Sequence, residues 1–328
     1  MAASVASSSA AILTNQGARL FAPAIPLSKT LSGASLHASR VRLPRVTPRG
    51  THGKARLAVM AQAKIAAASS AATEPLSAGS PAPALFDGTT RLYHYKACPF
   101  AQRAVIAVNY KGLDFIERVE ISLRSKPEWY TEKVYPPGKV PAMEHDGKVV
   151  GESLDLLLLI DEWFGDKGPR IVPENPALAA EASALVAACG DLMMAGYSSL
   201  SQLYQTGGEA EVEAAMGSHL DSLEASLTKR QGDGPFFLGS FSYAVVWCAA
   251  VRSASVFDHF CHTDITKGRP NLQRWFEAAA SMQAYTDTCM ERDAIITTYQ
   301  QMLDNKYFER AGVASSASTS KPTAAAGT

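Results

Sequence analysis

The sequence predicts an α/β domain followed by an all-helical domain, and three observations favour this fold class. Short β-rich runs alternate with helix-like patterns between residues 90 and about 165. After Pro176 the strand patterns largely stop, and long patterns of helical spacing follow. The 328 residues, 47% of them hydrophobic, are enough for one large or two ordinary domains. We therefore expect an N-terminal α/β domain at 89–166 and an all-α C-terminal domain at 174–310.

The elements of the first domain are expected in the order β-α-β-α-β-β-α. Strand patterns cover Leu92–Tyr95, Phe115–Ile121, Val140–Glu144 and Lys148–Val150. Helix patterns cover Pro99–Lys111, Pro127–Lys133 and Ser153–Phe164. A parallel β-α-β unit joined to a hairpin and a closing helix forms a four-stranded sheet with helices on its faces, which is the thioredoxin-like arrangement.

The second domain is predicted to contain only helices. Patterns of helical spacing cover Ala177–Leu203, Glu209–Leu227, Phe241–Phe257, Asn271–Met282 and Arg292–Lys306. The third of these is mostly apolar, so we expect it to be central and buried.

Three segments outside the two domains have compositions that do not predict a packed core. Residues 1–61 are rich in Ala and Ser, carry eight basic residues, contain no acidic residue and have no continuous apolar region. This composition predicts a disordered transit peptide that directs the protein to the chloroplast stroma, with the mitochondrion or the cytoplasm as alternatives. Val59-Met60-Ala61 resembles a plastid processing site. Residues 62–88 are predicted to be a linker, and residues 311–328 a disordered tail.

Charge, hydropathy and cysteine spacing exclude several classes of function. Beyond residue 61 the chain carries 23 basic against 31 acidic residues, which disfavours nucleic-acid binding because phosphate contacts need positive charge. No stretch approaches the ~20 apolar residues of a membrane helix, so stable membrane insertion is not expected. The spacing of the cysteines predicts neither a metal site nor a disulfide framework. They are Cys98, Cys189, Cys248, Cys261 and Cys289.

Cys98 is the strongest candidate for chemistry. It lies between a predicted strand and a predicted helix that begins at Pro99. A thiol at that junction is near the positive end of the helix dipole and near free N–H groups, and both favour the thiolate. Ala101 occupies the position of the second cysteine of a CxxC motif, so Cys98 cannot form a local disulfide. This pattern predicts one-thiol chemistry with a small thiol partner.

Four motifs in order give the chain a resemblance to a known family. They are Cys98-Pro-Phe-Ala-Gln-Arg103, Lys126-Pro-Glu-Trp129, Pro137-Gly-Lys-Val140-Pro141 and Gly151-Glu152-Ser153. Over roughly 90–310 the chain resembles cysteine-type glutathione transferases of the omega and plant lambda classes. The resemblance implies the glutathione transferase fold, with glutathione as cosubstrate and no metal. One departure is Val245, which stands where many members have the acidic residue of a helix-capping box.

The resemblance implies a glutathione site built from these motifs. Val140-Pro141 matches a cis-proline turn whose Val140 backbone would pair with the cysteinyl backbone of glutathione. Lys126 matches a lysine that meets the glycyl carboxylate. Glu152 would take the ammonium group, and Ser153 with the N–H groups of its helix would bind the γ-glutamyl carboxylate. Ser153 is equally well suited to capping that helix.

Other polar and aromatic residues have less certain roles. We expect Arg103 to be structural, bound to its helix or to a loop carboxylate, and we do not assign His94 as a base. A group of side chains in the helical domain is suited either to an acceptor pocket or, more simply, to the core. They are Met193, Met194, Tyr197, Tyr204 and Trp247.

A cysteine at this position implies thiol transfer rather than conjugation. Cys98 would form a mixed disulfide with glutathione, which a second glutathione would resolve. Such chemistry covers deglutathionylation and the reduction of dehydroascorbate or quinone-type adducts, with a small hydrophobic or glutathionylated acceptor. The alternative is a carrier that binds glutathione conjugates or hydrophobic ligands with little turnover. An inserting channel-like protein and an interaction scaffold are less favoured, and the sequence leaves open whether the protein is a monomer or a homodimer.

Overall fold

The computed structural model describes residues 74–204, 207–230, 234–242 and 249–310. The predicted transit peptide, the first part of the predicted linker and the predicted C-terminal tail lie outside the described residues. The described part contains a mixed sheet with its helices and continues mainly as helices, as the sequence predicts, with two isolated β-bridges at 236–240.

The sheet has four strands in the order β2-β1-β3-β4. They are β1 (Arg91–His94), β2 (Glu117–Glu120), β3 (Ala142–His145) and β4 (Lys148–Gly151). β1 and β2 are parallel, whereas β3 is antiparallel to both β1 and β4. The pairing puts Tyr93, Ala142 and Gly151 in one row across the sheet. The end of β1, the start of β3 and the end of β4 therefore lie at the same edge.

Three helical elements accompany the sheet. They are α1 (Pro99–Tyr110), α2 (Tyr130–Val134) and α3 (Ser153–Trp163). α2 is a short π-helical turn where the sequence predicts a helix over Pro127–Lys133. Successive strand residues point to opposite faces, so Leu92 packs in a core with α1 and α3, while Tyr93 packs in a second core with α2.

Residues 74–88 cover the outer edge of β2. Leu76 forms a parallel bridge with Ile121, its N–H donates to the Glu120 carbonyl at 2.8 Å, and its own carbonyl accepts from the N–H of Ser122 at 2.8 Å. The Trp129 indole donates to the Ser80 carbonyl at 2.9 Å. An uncovered edge strand leaves unpaired N–H and C=O groups, and this segment pairs some of them. The second half of the predicted linker thus packs against the sheet.

Seven helices follow in the described residues. They are α4 (Pro176–Leu203), α5 (Glu209–Thr228), α6 (Ala249–Cys261), α7 (Pro270–Ser281), α8 (Gln283–Thr286), α9 (Arg292–Asp304) and α10 (Tyr307–Arg310). The predicted helix Phe241–Phe257 is wrong at its start, because Phe241 and Ser242 are buried without being helical. The buried Ser242 hydroxyl has no hydrogen-bond partner among the described residues. Residues 243–248 lie outside the described residues.

α4 is long and apolar enough to cross a membrane, judged by length and composition alone. The expectation that no stretch of the chain approaches a membrane helix in length and apolarity is therefore wrong. Glu181 and Asp191 interrupt the apolar run, but the average hydropathy of the run stays in the range of membrane helices. The helix packs against α5, α6 and α10. Helices in the core of a protein often have the same length and apolar composition as a membrane helix.

Candidate active site

The candidate site lies at the edge of the sheet where β1 ends and β3 begins. Cys98 follows β1 by four residues, Pro141 immediately precedes β3, and Glu152 immediately follows β4. The strand pairing brings these three segments together although they are far apart in the sequence. The sequence predicts each segment as part of the site, and the sheet explains why they converge.

Cys98 is the N-terminal capping residue of α1, as its position before Pro99 predicts. Its backbone is extended, with φ −82° and ψ 116°, and its carbonyl accepts from the N–H of Gln102 at 3.0 Å. The half-buried thiol Sγ lies 3.7 Å from the Val140 carbonyl oxygen and donates a long hydrogen bond to it. The thiol and the proline-containing loop are thus in direct contact.

Two opposing effects act on the acidity of this thiol. Burial raises the pKa of Cys98 and is the larger effect. The backbone N–H groups of Ala101 and Phe100 lower it, as expected at a helix start, and the positive charges of Arg252 and Arg103 lower it further. The pKa is raised on balance, so burial outweighs the effects of the helix start that favour the thiolate.

The loop before β3 has the predicted cis peptide bond between Val140 and Pro141. Its position is fixed from the second core: the buried Tyr130 hydroxyl donates to the Lys139 carbonyl at 2.6 Å. This hydrogen bond anchors the residue just before Val140. The Val140 carbonyl points to Cys98, so a peptide that paired with this backbone would place its own atoms next to the thiol.

Lys126 reaches the same loop. A β-carbon built on Gly138 would lie 3.4 Å from the Lys126 Nζ, so the ammonium group lies against the loop two residues before Val140. Lys126 is exposed, and no carboxylate of the described residues lies within ion-pair distance of it. An exposed cation without a partner at this place is suited to a ligand carboxylate.

Glu152 has an unusual backbone conformation. Its φ is +63° and its ψ is 116°, a region that non-glycine residues rarely occupy. Its exposed carboxylate lies 3.6 Å from the Nζ of Lys139, a contact that the sequence did not predict. Behind it, the Tyr135 ring packs so closely on Gly151 that a β-carbon there would lie 2.0 Å from the hydroxyl oxygen. The Glu152 carboxylate is therefore exposed, whereas the residue before it, Gly151, is tightly packed.

Ser153 is the first residue of α3 rather than its cap. The capping residue is Glu152, whose side chain makes no capping hydrogen bond. The buried Ser153 hydroxyl accepts from Arg103 Nη1 at 3.2 Å, and Arg103 forms no ion pair with a carboxylate in the described ranges. The Arg103 guanidinium also lies 5.4 Å from the centre of the Phe100 ring. Arg103 thus links the thiol-bearing helix to the predicted γ-glutamyl site, 50 residues away in the sequence.

The remaining predicted residues have separate places. Burial lowers the pKa of His94 to about 4, with Arg118 and Lys96 adding to the effect, so the ring stays neutral and is not suited to the role of a base near pH 7. Met193 and Tyr197 line an apolar pocket among α4, α6 and α9, whereas Tyr204 lines a different pocket and Met194 is exposed. Trp247 lies outside the described residues.

No group of three or more His, Cys, Asp or Glu side chains within the described ranges is arranged to hold a metal ion. The described residues of the site contribute one thiol, several backbone groups and a set of charged side chains.

Comparison with known proteins agrees with this geometry. Residues 92–168 match the family model of the glutathione S-transferase N-terminal domain. The chain is 45% identical over 216 residues to Protein IN2-1 homolog A of Oryza sativa subsp. japonica, covering 65% of this chain and 85% of the relative. It is 40% identical over 220 residues to Glutathione S-transferase L2, chloroplastic, of Arabidopsis thaliana, covering 66% and 72% of the two chains.

A solved structure shares the fold at lower sequence identity. Glutathione transferase Omega 3C from Trametes versicolor superposes with a TM-score of 0.58 at 20% identity, covering 69% of this chain and 93% of the other. At that identity the likeness concerns the fold. The relatives, the matched domain and the arrangement of the site together lead to one conclusion: this chain belongs to the glutathione S-transferase family and is of its omega/lambda type.

Proposed function

We propose that the protein is a glutathione-dependent thiol transferase in which Cys98 is the nucleophile. The observation that carries the proposal is the contact between the Cys98 thiol and the carbonyl of Val140, at 3.7 Å. A glutathione molecule whose cysteinyl backbone pairs with Val140 would have its sulfur beside Cys98. Tyrosine or serine at that place would activate glutathione, whereas a cysteine can itself bond to sulfur.

The proposed reaction has two exchanges. The Cys98 thiolate attacks the glutathione sulfur of a mixed disulfide, forms a Cys98–glutathione disulfide and releases the other sulfur as a thiolate that takes up a proton. The thiolate of a second glutathione then attacks the glutathionyl sulfur, which gives glutathione disulfide and returns Cys98 to the thiolate. In total, the thiol of the second glutathione is oxidised to the disulfide level, and the acceptor sulfur of the mixed disulfide is reduced to one thiol.

The surrounding residues would bind glutathione at its charged ends. Lys126, free of carboxylate partners in the described part of the chain, would bind the glycyl carboxylate. Ser153 and the N-terminus of α3 would bind the γ-glutamyl carboxylate, and Glu152 would bind the neighbouring ammonium. Glu152 would exchange its exposed contact with Lys139 for the ligand, at little cost because exposed ion pairs contribute little stability.

The test is turnover of a small glutathione mixed disulfide, with glutathione present and NADPH oxidation by glutathione reductase as the readout. We expect turnover in the wild type and its loss in Cys98→Ser. Cys289→Ser is the matched control, since Cys289 is also half-buried, and it should retain activity. Equal turnover in the wild type and Cys98→Ser would refute the assignment of Cys98. Saturable binding of a hydrophobic ligand without turnover in any variant would support the carrier alternative.

We also propose that the protein acts in the chloroplast. Support comes from the acid-free N-terminal composition and from the relative named chloroplastic. The expected result is plastid import of a fluorescent fusion of the whole chain, and a cytosolic signal when residues 1–61 are removed. A cytosolic signal from the whole chain would contradict the proposal.

A further inference from the structure

We propose that Arg252 is a positioning residue for Cys98: its guanidinium holds the loop that precedes the thiol and places a buried positive charge near the sulfur. The inference rests on the proposed role of Cys98 as nucleophile and adds a residue from the helical part of the molecule to that site. Neither the four motifs nor the spacing in the sequence points to Arg252.

The contacts of Arg252 converge on the residues just before Cys98. Arg252 lies on α6 and is 3% exposed. Its Nη1 donates to the Ala97 carbonyl at 2.7 Å, and its Nη2 donates to the Lys96 carbonyl at 3.2 Å. The Ala97 carbonyl belongs to the peptide group whose N–H is that of Cys98, and this N–H donates to the Tyr95 carbonyl at 2.9 Å. The peptide group between Ala97 and Cys98 is therefore hydrogen-bonded through both its carbonyl and its N–H.

A buried chain of hydrogen bonds fixes the orientation of the guanidinium. Arg252 Nη2 also donates to Gln102 Oε1 at 3.0 Å, and Gln102 Nε2 donates to the Thr288 hydroxyl at 2.8 Å. The Thr288 hydroxyl in turn donates to the Tyr285 carbonyl at 2.6 Å. Gln102 lies on α1 and binds the Cys98 carbonyl through its own N–H. The planar guanidinium group has several donors in fixed directions and can bind these three acceptors at once, whereas a lysine ammonium could not reproduce that geometry.

The charge of Arg252 has no negative partner in the described residues. Its three hydrogen-bond acceptors are two carbonyls and an amide, and no described carboxylate lies within ion-pair distance of it. A buried cation without a counter-charge is costly. Arg103, also buried, contacts the neutral Ser153 hydroxyl. The thiol end of the site thus holds two buried positive charges, and an ionised Cys98 would balance them.

The titratable groups around Cys98 come from four helices. They are Arg103 on α1, Tyr197 on α4, Arg252 on α6 and Tyr299 on α9, with Cys289 and Asp287 after α8 nearby. Burial raises the pKa of both tyrosines and of Cys289, so these groups stay protonated near neutral pH. Burial also raises the pKa of Cys98, whereas Arg252 and Arg103 lower it. Arg252 also lowers the pKa of the two tyrosines and of Cys289, and both cations act on Cys98.

The test is the pH dependence of Cys98 alkylation by iodoacetamide in the full chain, with the Cys98→Ser rate subtracted and no glutathione present. We expect the alkylation midpoint of Arg252→Gln to move upward by about one pH unit, which is about a tenfold slower rate at neutral pH. The limiting rate at high pH should stay close to that of the wild type. Arg252→Lys keeps the charge but loses the planar guanidinium group, so its alkylation midpoint should lie between those of the wild type and Arg252→Gln.

Arg269→Gln is the matched control. Arg269 is a buried arginine of the helical part whose partners, Glu213 and Asp221, lie on α5. Its loss should lower the melting temperature and leave the alkylation profile unchanged, which separates a structural loss from a loss at the thiol. If folded Arg252→Gln showed the same pH dependence of alkylation as the wild type, the proposal would be overturned. If Arg252→Gln does not fold, a wild-type profile in Arg252→Lys would overturn it.

The same assay separates this inference from the proposed function. Alkylation measures the thiol without turnover, so a shifted midpoint in Arg252→Gln stands even where the wild type fails to reduce the mixed disulfide. Turnover in the wild type together with an unshifted midpoint would keep the proposed function and reject the role of Arg252.

Discussion

Lys126 shows how a single exposed side chain can be tested for a ligand role. Its ammonium lies against Gly138 beside the cis-proline loop and has no ion-pair partner among the residues described. If it binds the glycyl carboxylate, blocking that carboxylate as an ethyl ester should weaken wild-type binding. We expect Lys126→Ala to bind glutathione about threefold to tenfold more weakly and to lose the preference for glutathione over its ester, measured as KM in the coupled assay.

The control for this prediction is Lys133→Ala. Lys133 is exposed and lies on α2, close in sequence to Lys126, and no ion pair of it is seen among the described residues. It should leave both KM values as in the wild type. A Lys126→Ala variant that still discriminates between glutathione and its ester would contradict the role of Lys126.

At the residue scale, the sequence could predict the groups whose role depends on local position. The position of Cys98 at a helix start follows from neighbouring residues, whereas the cis turn at Val140-Pro141 is implied by the family resemblance. Contacts between distant segments could not be predicted. Arg103 meets Ser153 across 50 residues, and Arg252 meets Ala97 across 155, because only the packing of α1, α3 and α6 brings them together. The raised pKa of Cys98 has the same origin, since burial depends on the whole site.

The junction between β4 and α3 depends on close packing at Gly151. A β-carbon there would overlap the Tyr135 ring, with 2.0 Å to its hydroxyl oxygen and 2.2 Å to its ring carbon. We expect Gly151→Ala to lower the free energy of unfolding by about 1–3 kcal/mol, and to raise the KM for glutathione because Glu152 and Ser153 follow directly. Urea unfolding and the coupled assay measure the two effects.

Gly190→Ala is the control for that change. Gly190 lies inside α4, and a β-carbon there would meet no described atom within 4 Å. Alanine is the better helix former, so this variant should be as stable as the wild type or more stable by about 0.5–1 kcal/mol. Wild-type stability and KM in Gly151→Ala would show that Tyr135 moves aside freely.

Asp161 joins α3 to the end of α1 and to the segment that leads to α4. Its buried carboxylate accepts from Lys111 Nζ at 3.0 Å, from Arg170 Nε at 2.8 Å and from the N–H of Ile171 at 3.0 Å. Burial alone would raise the pKa of Asp161, but the N–H of Ile171 and the Lys111 ammonium outweigh it, and the pKa is lowered.

Asp161→Asn should therefore lower the free energy of unfolding by about 3–5 kcal/mol at neutral pH, because Lys111 would keep a buried charge without its partner. A lowered pKa contributes stability that is present above the unfolded value of 3.8 and is lost as the pH falls through the folded value. The difference between variant and wild type should shrink as the pH falls below about 4. Asp166→Asn, at a nearby exposed residue, should change little at any pH, and a constant difference for Asp161→Asn would contradict the account.

At the element scale, strongly patterned helices were the most predictable. α4, α5 and α9 begin at or within one residue of their predicted starts. The short α8 and α10 were not predicted, because four residues give too little periodicity. The helix predicted over Pro127–Lys133 is a π-helical turn at Tyr130–Val134, which local spacing does not distinguish from an α-helix.

On the scale of the whole molecule, residues 74–88 belong to the folded part although their composition predicts a linker. A chain beginning at residue 74 should melt at the temperature of a chain beginning at residue 62. Removal of residues up to 86 takes away the Leu76 bridge and the Phe86 N–H that donates to buried Glu144 at 2.7 Å. That chain should melt lower and aggregate more, since the edge of β2 would be uncovered. Equal melting of all three chains would contradict this role for the segment.

The order of the elements could be predicted across the whole molecule because strand and helix periodicities differ sharply between its two parts. The packing of the helical part against the sheet could not, because Thr288 and Arg252 belong to no motif, and the motif that contains Gln102 does not indicate its distant partners. Their contacts join α1 to α6 and α8 beside the thiol. We infer that the site depends on both parts of the chain.

The central claim is that Cys98 forms a disulfide with glutathione during turnover. The most direct measurement is the intact mass of the protein after exposure to glutathione disulfide, before and after excess glutathione. We predict one glutathionyl group on the wild type, its removal by glutathione, and no such adduct on Cys98→Ser. An adduct of the same extent on Cys98→Ser, or no adduct on a wild type that turns over, would contradict the claim.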